Sequence, residues 1–290
     1  MSCHPYISIL KVRDFCLLFS GQMISTLGDA FYAVALPWLM LTSGRTAQEL
    51  GIVLAAYGVP RVATLFVGGL LSDRLGPRKV MLLSDSARAI LIGMLVVLVM
   101  LGYTSVWQLC IVTIPLGAFT GLFLPAYYAM LPEVLSDDQL QAGNGLNSSS
   151  IQLAILIGSS IAGIVVSRLQ PAAALVIDAC SFVVSALTLA AMYQGRRIHF
   201  KASDKDNVAS SATTEAQVST TIFPADITFW QLARTWRLFQ VAFLVVIFGN
   251  LTFSGLFEVA LPTLAHGQFA AGASGYGLLV GAFGGGAFLG

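Results

Sequence analysis

Eight long apolar segments follow one another along the chain, and they constrain the fold more than any other feature of the sequence. A helix needs about 20 apolar residues to cross a bilayer, and most of these segments reach that length. None alternates between apolar and polar residues, which excludes a membrane β-barrel. Only 10% of the residues are charged, whereas a soluble domain carries about 25%. We therefore predict an all-α polytopic membrane protein with these spans: Phe15–Leu41, Leu50–Leu71, Val80–Leu101, Val106–Ala129, Asn144–Val166, Ala172–Met192, Leu238–Leu264 and Gly275–Gly290.

Basic residues predict how the spans are oriented, because cytoplasmic loops carry an excess of Lys and Arg. With the N-terminus inside, the inner connections hold eleven basic residues, whereas the outer ones hold only Arg45 and Arg168. This bias predicts a multi-pass protein of the inner (plasma) membrane with a cytoplasmic N-terminus. The first apolar run is too long for a signal-peptide core, so we expect it to be retained as the first span.

A long polar stretch divides the spans into two groups. Residues 193–237 connect the sixth and seventh spans, and the middle of this stretch is rich in Ser, Thr and Ala. It predicts a cytoplasmic linker between an N-terminal six-helix bundle (residues 1–192) and the start of a C-terminal bundle (residues 238–290). Aromatic and basic residues alternate in Phe229–Arg237. This pattern indicates either an interfacial helix or a cytoplasmic extension of the seventh span.

A sequence repeat relates the two groups of spans. Val34–Pro37 in the first span recurs as Val259–Pro262 in the seventh. Gly51 follows the first copy at nearly the spacing at which Gly277 follows the second, and a further glycine comes seven residues later in both. The seventh and eighth spans therefore correspond to the first and second. Since the first copy has six spans, and the eighth span is short for a core of about 30 Å, we expect a C-terminally truncated chain.

The connection between the second and third spans, Gly69–Lys79, carries a charged motif. Its sequence is Gly-Leu-Leu-Ser-Asp-Arg-Leu-Gly-Pro-Arg-Lys. It resembles the signature of the major facilitator superfamily between helices 2 and 3, and it matches at every specified position. The resemblance implies a cytoplasmic latch between two halves that helps to govern a conformational switch. The switch residues that it implies are Gly69, Asp73, Arg74, Gly76, Arg78 and Lys79.

Further stretches narrow the resemblance to one branch of the superfamily. Leu27–Asp29 in the first span and Asp178–Ser185 in the sixth resemble the macrolide-efflux and enterobactin-exporter-like families. This resemblance implies a major-facilitator fold and drug:proton antiport. The fifth span carries a pattern similar to the antiporter signature, in which Ser159 stands in place of the proline; close packing of small residues is the alternative interpretation. The positions of this pattern are Ala154, Gly158, Ser159 and Gly163.

Ionisable residues within spans are the candidates for coupling, because a charge inside a membrane is costly and marks a functional site by default. Asp29 in the first span is the principal candidate for carrying a proton, and a structural ion pair with Arg61 is the alternative. Asp178 and Glu258 are further candidates, although we expect a packing or capping role for Asp178 first. The fourth span lacks the arginine that many proton-coupled exporters of the superfamily carry there.

Two more groups of residues are singled out by their positions. Asp85 and Arg88 lie three apart on one face of the third span, and we expect a structural or gating network with Asp73 and Arg74. A substrate cavity between two halves would be lined by the first, fourth and seventh spans, as in the superfamily. Met, aromatic and weakly polar side chains suit amphipathic compounds. The cavity candidates, each with ordinary helix packing as the alternative, are Gln22, Met23, Thr26, Phe119, Tyr127 and Asn250.

Together these features favour a secondary transporter that exports hydrophobic or amphipathic small molecules, such as drugs, macrolides or siderophore-like compounds, with proton entry as the driving force. The alternative is a non-transporting remnant or membrane interaction module that needs a partner chain. No nucleophile–base pattern or metal-ligand cluster indicates an enzyme, and we expect no cofactor or metal. The net charge of +1 argues against a nucleic-acid partner. The expected partners are the lipid bilayer, a small-molecule substrate and protons.

Overall fold

The computed structural model describes residues 9–192, 240, 241, 245, 256–267 and 272–289. The first range contains five long helices, which are α1 (Arg13–Thr42), α2 (Ala47–Leu75), α3 (Pro77–Met100), α4 (Val106–Val134) and α5 (Asp137–Ala191). A π-helical turn (Leu256–Ala260) leads into the short helix α6 (Leu261–Gly267), and α7 covers Gly272–Leu289. The described residues contain no strand, so the predicted all-α fold class is confirmed.

Short turns of defined geometry join α1 to α2 and α2 to α3. At the start of α2 the Glu49 amide donates to Thr46 Oγ1 (3.2 Å), and the Thr46 amide donates to Glu49 Oε2 (2.8 Å). This reciprocal pair is a capping box. Between α2 and α3, Gly76 adopts φ +86°, a conformation that glycine adopts without a steric penalty. Pro77 follows as the first residue of α3, where its missing N–H costs no hydrogen bond.

Helix α5 contains two spans rather than one. An uninterrupted helix of its 55 residues would measure about 80 Å, far more than a bilayer core of about 30 Å. Gln170 breaks it with φ 71° and ψ 160°, and Pro171 follows. We call residues 137–169 the first arm of α5 and residues 171–191 the second arm. They correspond to the predicted fifth and sixth spans.

Glycines let the helix backbones approach closely. Gly117 and Gly121 of α4 lie directly against the carbonyl oxygens of Tyr57 and Arg61 of α2. A Cβ atom at either glycine would collide with these oxygens, so the close contact between α2 and α4 requires residues without side chains. The first arm of α5 approaches α1 in the same way, because a Cβ at Gly158 would lie 2.8 Å from Ala30 Cβ.

The buried apolar residues form two clusters, one toward each end of the bundle. The cluster toward the Thr42 end of α1 includes Leu36, Leu50, Leu95, Leu109 and Phe182. The cluster toward the Arg13 end includes Phe15, Leu18, Met81, Phe123 and Tyr127. Arg88 contacts Phe182 of the first cluster and Phe123 of the second, so the buried charges lie where the two clusters meet.

By length and composition, four of the described helices can cross a membrane, namely α1, α3, α4 and α5. Helix α2 provides a fifth if its two segments, which meet at an angle of 52°, are counted as one span. The eighth predicted span corresponds to α7, with 18 residues. The described residues 9–192, 257–267 and 272–289 belong to one compact unit. The predicted linker and most of the predicted seventh span lie outside the described residues, so the predicted domain boundaries stay a prediction.

Candidate functional site

A buried ion pair joins Asp85 and Arg88 on one face of α3. The Asp85 side chain is completely buried and that of Arg88 is 2% exposed. One carboxylate oxygen accepts from the Arg88 guanidinium, and the other accepts from Ser185 Oγ at 2.6 Å. Ser185 belongs to the second arm of α5, so the pair fixes α3 against that arm. Both partners are removed from water, which makes the integrity of the pair critical for stability.

Two aromatic rings enclose the Arg88 guanidinium. Its central carbon lies 4.5 Å from the centroid of the Phe123 ring and 4.3 Å from that of the Phe182 ring. These distances are well within the range of cation–π attraction, which strengthens when the cation is desolvated. Helices α3, α4 and α5 therefore all contribute to holding one positive charge inside the bundle.

The expected network of this pair with Asp73 and Arg74 is not formed within the described part of the chain. Asp73 and Arg74 are exposed near the end of α2, whereas Asp85 and Arg88 are buried and bind Ser185 and two aromatic rings. The prediction was wrong because it considered only residues close in sequence. The actual partner on α5 is 100 residues from Asp85.

A narrow crevice inside the bundle contains Asp29. Its other polar lining residues are Tyr32 of α1, Tyr57 of α2, Thr120 of α4 and Asp178 of the second arm of α5. Ile92, Leu116 and Phe182 complete the wall. The Tyr32 and Tyr57 rings lie with their centroids 5.8 Å apart. The crevice thus gathers two carboxyl groups and three hydroxyl groups from four helices.

Asp178 lies in the interior of the second arm of α5, where it is 1% exposed. Neither of its carboxyl oxygens has a hydrogen-bond partner among the described residues. A Cβ built on Gly28 would lie 2.7 Å from Asp178 Oδ1, so the carboxyl group packs against the residue that precedes Asp29. Of the two expected roles, packing agrees with this burial, whereas a cap would require a hydrogen bond to these oxygens.

The other two coupling candidates, Arg61 and Glu258, do not line this crevice. Arg61 is exposed, with its guanidinium carbon 5.9 Å from the centroid of the Tyr57 ring. Among the described residues it forms no ion pair with Asp29. The structural ion pair that was the alternative role for Asp29 is therefore not present there. Glu258 is exposed on the π-helical turn.

An apolar groove runs along the other side of Gly28, between α1 and both arms of α5. It has a volume of about 380 Å³. Gly28 and Ser181 separate it from the crevice that contains Asp29 and Asp178. Its remaining lining residues are Ile24, Leu27, Phe31, Ile157, Gly158, Ile161, Ile177, Cys180 and Val184. No charged side chain lines this groove.

The predicted cavity residues are distributed over several environments. Gln22, Met23, Thr26 and Phe119 are half-buried, and Gln22 Nε2 donates to Thr26 Oγ1 at 3.1 Å. Tyr127 is buried inside the bundle and donates its hydroxyl to Asn147 Oδ1 at 3.0 Å. Its expected position in the cavity wall is therefore wrong, because the ring belongs to the packed core. Asn250 lies outside the described residues.

The antiporter-like pattern of the first arm of α5 faces two different helices. Ala154 is buried, and Gly158 packs against α1. Gly163 packs against α7, since a Cβ there would lie 2.7 Å from the carbonyl oxygen of Ala273. Ser159 donates to the carbonyl oxygen of Ile155 at 2.6 Å. The backbone of the arm stays helical through Ser159, as it does up to Gln170.

The residues of the Gly69–Lys79 motif lie at one end of the bundle. Asp73, Arg74 and Lys79 are exposed, and no atom would contact a Cβ at Gly69 within 4 Å. Arg78 differs, because it donates to the carbonyl oxygens of Leu189 (2.9 Å) and Ala190 (2.8 Å). These carbonyls belong to the last turn of α5, where a basic side chain is favourable. Arg78 thus ties the start of α3 to the end of α5.

Some residues of the site were missed by the sequence analysis. Ser185 carried a signal, since it is the last residue of the Asp178–Ser185 stretch that resembles the exporter families. Tyr32, Phe123 and Phe182 carried none, because aromatic residues are common in apolar spans. Their contribution depends on how each helix is rotated about its axis, which a uniformly apolar sequence does not indicate.

The fold and the site together define a class of protein, a polytopic α-helical membrane protein with charged groups buried in its interior. The family model of the Major Facilitator Superfamily matches residues 18–290. The chain belongs to this superfamily, which is a family of transporters rather than of enzymes. The predicted resemblance is therefore confirmed.

Three relatives illustrate the similarity. The multidrug efflux pump Tap of Mycobacterium tuberculosis is 28% identical over 184 residues, which cover 61% of this chain and 43% of the pump. The Tap pump of Mycolicibacterium fortuitum is 24% identical over 181 residues, covering 61% and 44%. The MFS-type transporter YfiS of Bacillus subtilis is 25% identical over 173 residues, covering 59% and 40%. The match spans less than half of the length of each relative.

Proposed function

We propose that this chain serves in secondary active efflux of hydrophobic or amphipathic small molecules by alternating access, with proton entry as the driving force. Drugs, macrolides and siderophore-like compounds are the substrate classes. The observation that carries the proposal is the apolar groove beside the crevice of Asp29. The similarity to proteins named multidrug efflux pumps also supports export as the function.

The groove is an open apolar depression, and the exposed side chains of Ile157, Ile161 and Ile177 form part of its wall. Its volume of about 380 Å³ falls within the range of about 300–1,000 Å³ that is typical of small-molecule sites. Apolar side chains dominate its wall, and only the thin layer of Gly28 and Ser181 separates it from the carboxyl groups. A molecule in the groove and a proton on Asp29 would therefore influence each other over a short distance.

The orientation in the membrane is part of the proposal. The end of the bundle that carries Arg74, Arg78 and Lys79 faces the cytoplasm, together with the N-terminus, because basic residues accumulate on that side. Protons would then reach Asp29 from outside and leave it toward the cytoplasm, in exchange for the exported compound.

Accumulation of ethidium, a fluorescent amphipathic cation, tests this function. The chain is expressed in bacteria that lack their principal efflux pumps, and a protonophore is added in a parallel sample. We expect lower ethidium accumulation with the chain, and loss of the difference with the protonophore or with Asp29→Asn. The matched control is Asp138→Asn, which removes an exposed carboxylate at the end of α5.

This experiment tests efflux by the chain and the coupling role of Asp29 independently. Unchanged low accumulation with Asp29→Asn, at equal protein levels, would reject the coupling role of Asp29. Equal accumulation with and without the unaltered chain would contradict efflux by this chain alone.

The second candidate function, a membrane interaction module that requires a partner chain, is favoured by one observation. Gly51 and Gly58 of α2 have open space where a side chain would lie, so this helix has a face suited to another helix. The alternative predicts that ethidium accumulation falls only when the chain is co-expressed with a second six-helix unit. A fall produced by the chain alone would contradict it.

A further inference from the structure

Three buried oxygen atoms of the crevice lack partners. Both carboxyl oxygens of Asp178 and the hydroxyl oxygen of Tyr32 are buried without a hydrogen bond in the described part of the chain. Buried polar atoms in folded proteins are nearly always paired. Because Tyr32 and Asp178 line the same crevice as Asp29, the unpaired atoms indicate a site whose occupant is small.

The charges around the crevice indicate the sign of that occupant. Asp85 is already paired with Arg88, whereas Asp29 and Asp178 form no ion pair among the described residues. The groups that face these two carboxyls are Tyr32 on α1, Tyr57 and Arg61 on α2, and Asp85 and Arg88 on α3. Arg61 is exposed and forms no ion pair with either carboxyl group in the described part of the chain. Two ionised carboxylates in one desolvated crevice repel each other strongly, so the site favours one positive charge.

The width of the crevice indicates which cation this is. It leaves no room for a water molecule between its walls, so it excludes a hydrated metal ion. A calcium or magnesium ion needs an open cage of about six oxygens around it, and the walls of the crevice leave no such space between them. A proton needs no cage, because it binds directly to a carboxyl oxygen and can be shared with a second one.

We propose that Asp178 and Asp29 form a single proton-binding site, in which the two carboxyl groups hold one proton between them. The inference deepens the proposed function, since it assigns Asp178 to the coupling site of Asp29. It also stands as a property of the folded chain, whether or not the chain transports anything. Gly28 makes the arrangement possible, because a Cβ there would collide with Ser181 Oγ and lie 2.7 Å from Asp178 Oδ1.

Infrared difference spectroscopy of the purified full chain in detergent micelles tests the shared proton. The C=O stretch of protonated carboxyl groups is followed as the pH is varied, and differences between variants isolate the contribution of each residue. Coupled carboxyls release their protons in two separate steps that belong to the pair. We expect two steps in the unaltered chain, and a single step at an intermediate pH in Asp178→Asn and in Asp29→Asn.

Controls make the result specific. Asp138→Asn should keep both steps, and thermal unfolding by circular dichroism identifies variants that do not fold. Asp178→Glu, which restores a carboxyl group, should bring back two steps. An unchanged titration of Asp29 in Asp178→Asn would overturn the proposal, because the two groups would then be independent. A displacement of the bands when sodium chloride replaces choline chloride would also overturn it in favour of a sodium site.

The spectra and the efflux measurement report on different claims. Coupled titration without ethidium efflux would support the proton site and contradict the proposed function of the chain alone. Efflux that depends on Asp29, together with independent titration of Asp178, would support the function and overturn the shared site.

Discussion

Arg88 carries its charge into the interior of the bundle, where Asp85, Ser185 and two aromatic rings surround the ion pair. A buried ion pair is weak evidence for stability, because both groups lose their hydration. Removing one partner is nevertheless severe, since the other charge is left buried without compensation. The aromatic rings reduce this cost for Arg88 and have no such effect for Asp85.

We predict that Asp85→Asn strongly destabilises the chain. The free energy of unfolding should fall by about 3–5 kcal/mol, the usual cost of leaving a buried charge unpaired. Thermal unfolding in detergent micelles measures the change, and Ser86→Ala on the exposed side of α3 is the control. The double variant Asp85→Asn/Arg88→Met should recover much of the loss. A double variant that is less stable than the single one would contradict this interpretation.

Single residues also show where prediction from the sequence ends. The three-residue spacing of Asp85 and Arg88 was sufficient to place them on one helix face, and they do form a pair. The sequence could not indicate Ser185 or the pairing of Asp29 with Asp178 in one crevice. Those contacts depend on the rotation of three helices, and a span that is apolar on all sides carries no signal for it.

The positions of whole helices were predicted from the sequence more completely than the contacts between single residues. The first six predicted spans coincide with α1 to α4 and the two arms of α5, and Pro171 marks the break between the arms. A uniform apolar run of suitable length is sufficient for this, because membrane spans must satisfy their own backbone hydrogen bonds. The predicted ends differ by several residues, since polar helical turns of α2, α4 and α5 extend beyond the apolar core at the end of the bundle that carries the Gly69–Lys79 motif.

The seam between the first arm of α5 and α7 provides a prediction for pairs of helices. Gly163→Ala would place a Cβ 2.7 Å from the Ala273 carbonyl oxygen and 3.0 Å from Gly277 Cα. Both are backbone atoms, so the helices must separate. We expect a loss of about 1–3 kcal/mol, as is usual for an overpacked interior. Thermal unfolding in micelles measures it, and Gly145→Ala on the same arm, which meets no atom within 4 Å, is the control. Equal stability of the two variants would contradict a tight seam.

For the molecule as a whole, the repeat predicts a contact that the described residues do not contain. Gly277 and Gly284 of α7 pack against the first arm of α5, whereas their counterparts Gly51 and Gly58 of α2 meet no atom within 4 Å. Two units related by a repeat make equivalent contacts when they form a closed pair. The open glycines of α2 therefore match a helix equivalent to the first arm of α5 in a second six-helix unit.

Cysteine labelling tests this asymmetry in the chain itself. The four native cysteines are replaced by serine, and single cysteines are introduced as Gly58→Cys, Gly284→Cys and Gly93→Cys, the last at an open position of α3. In micelles a maleimide should modify Gly58→Cys as fast as Gly93→Cys. Gly284→Cys should react much more slowly, because Ile155 and Leu156 cover that position. Addition of a second six-helix unit should protect Gly58→Cys and leave Gly93→Cys unchanged. Protection of Gly58→Cys in the chain alone would contradict the prediction, since the face would then already be covered.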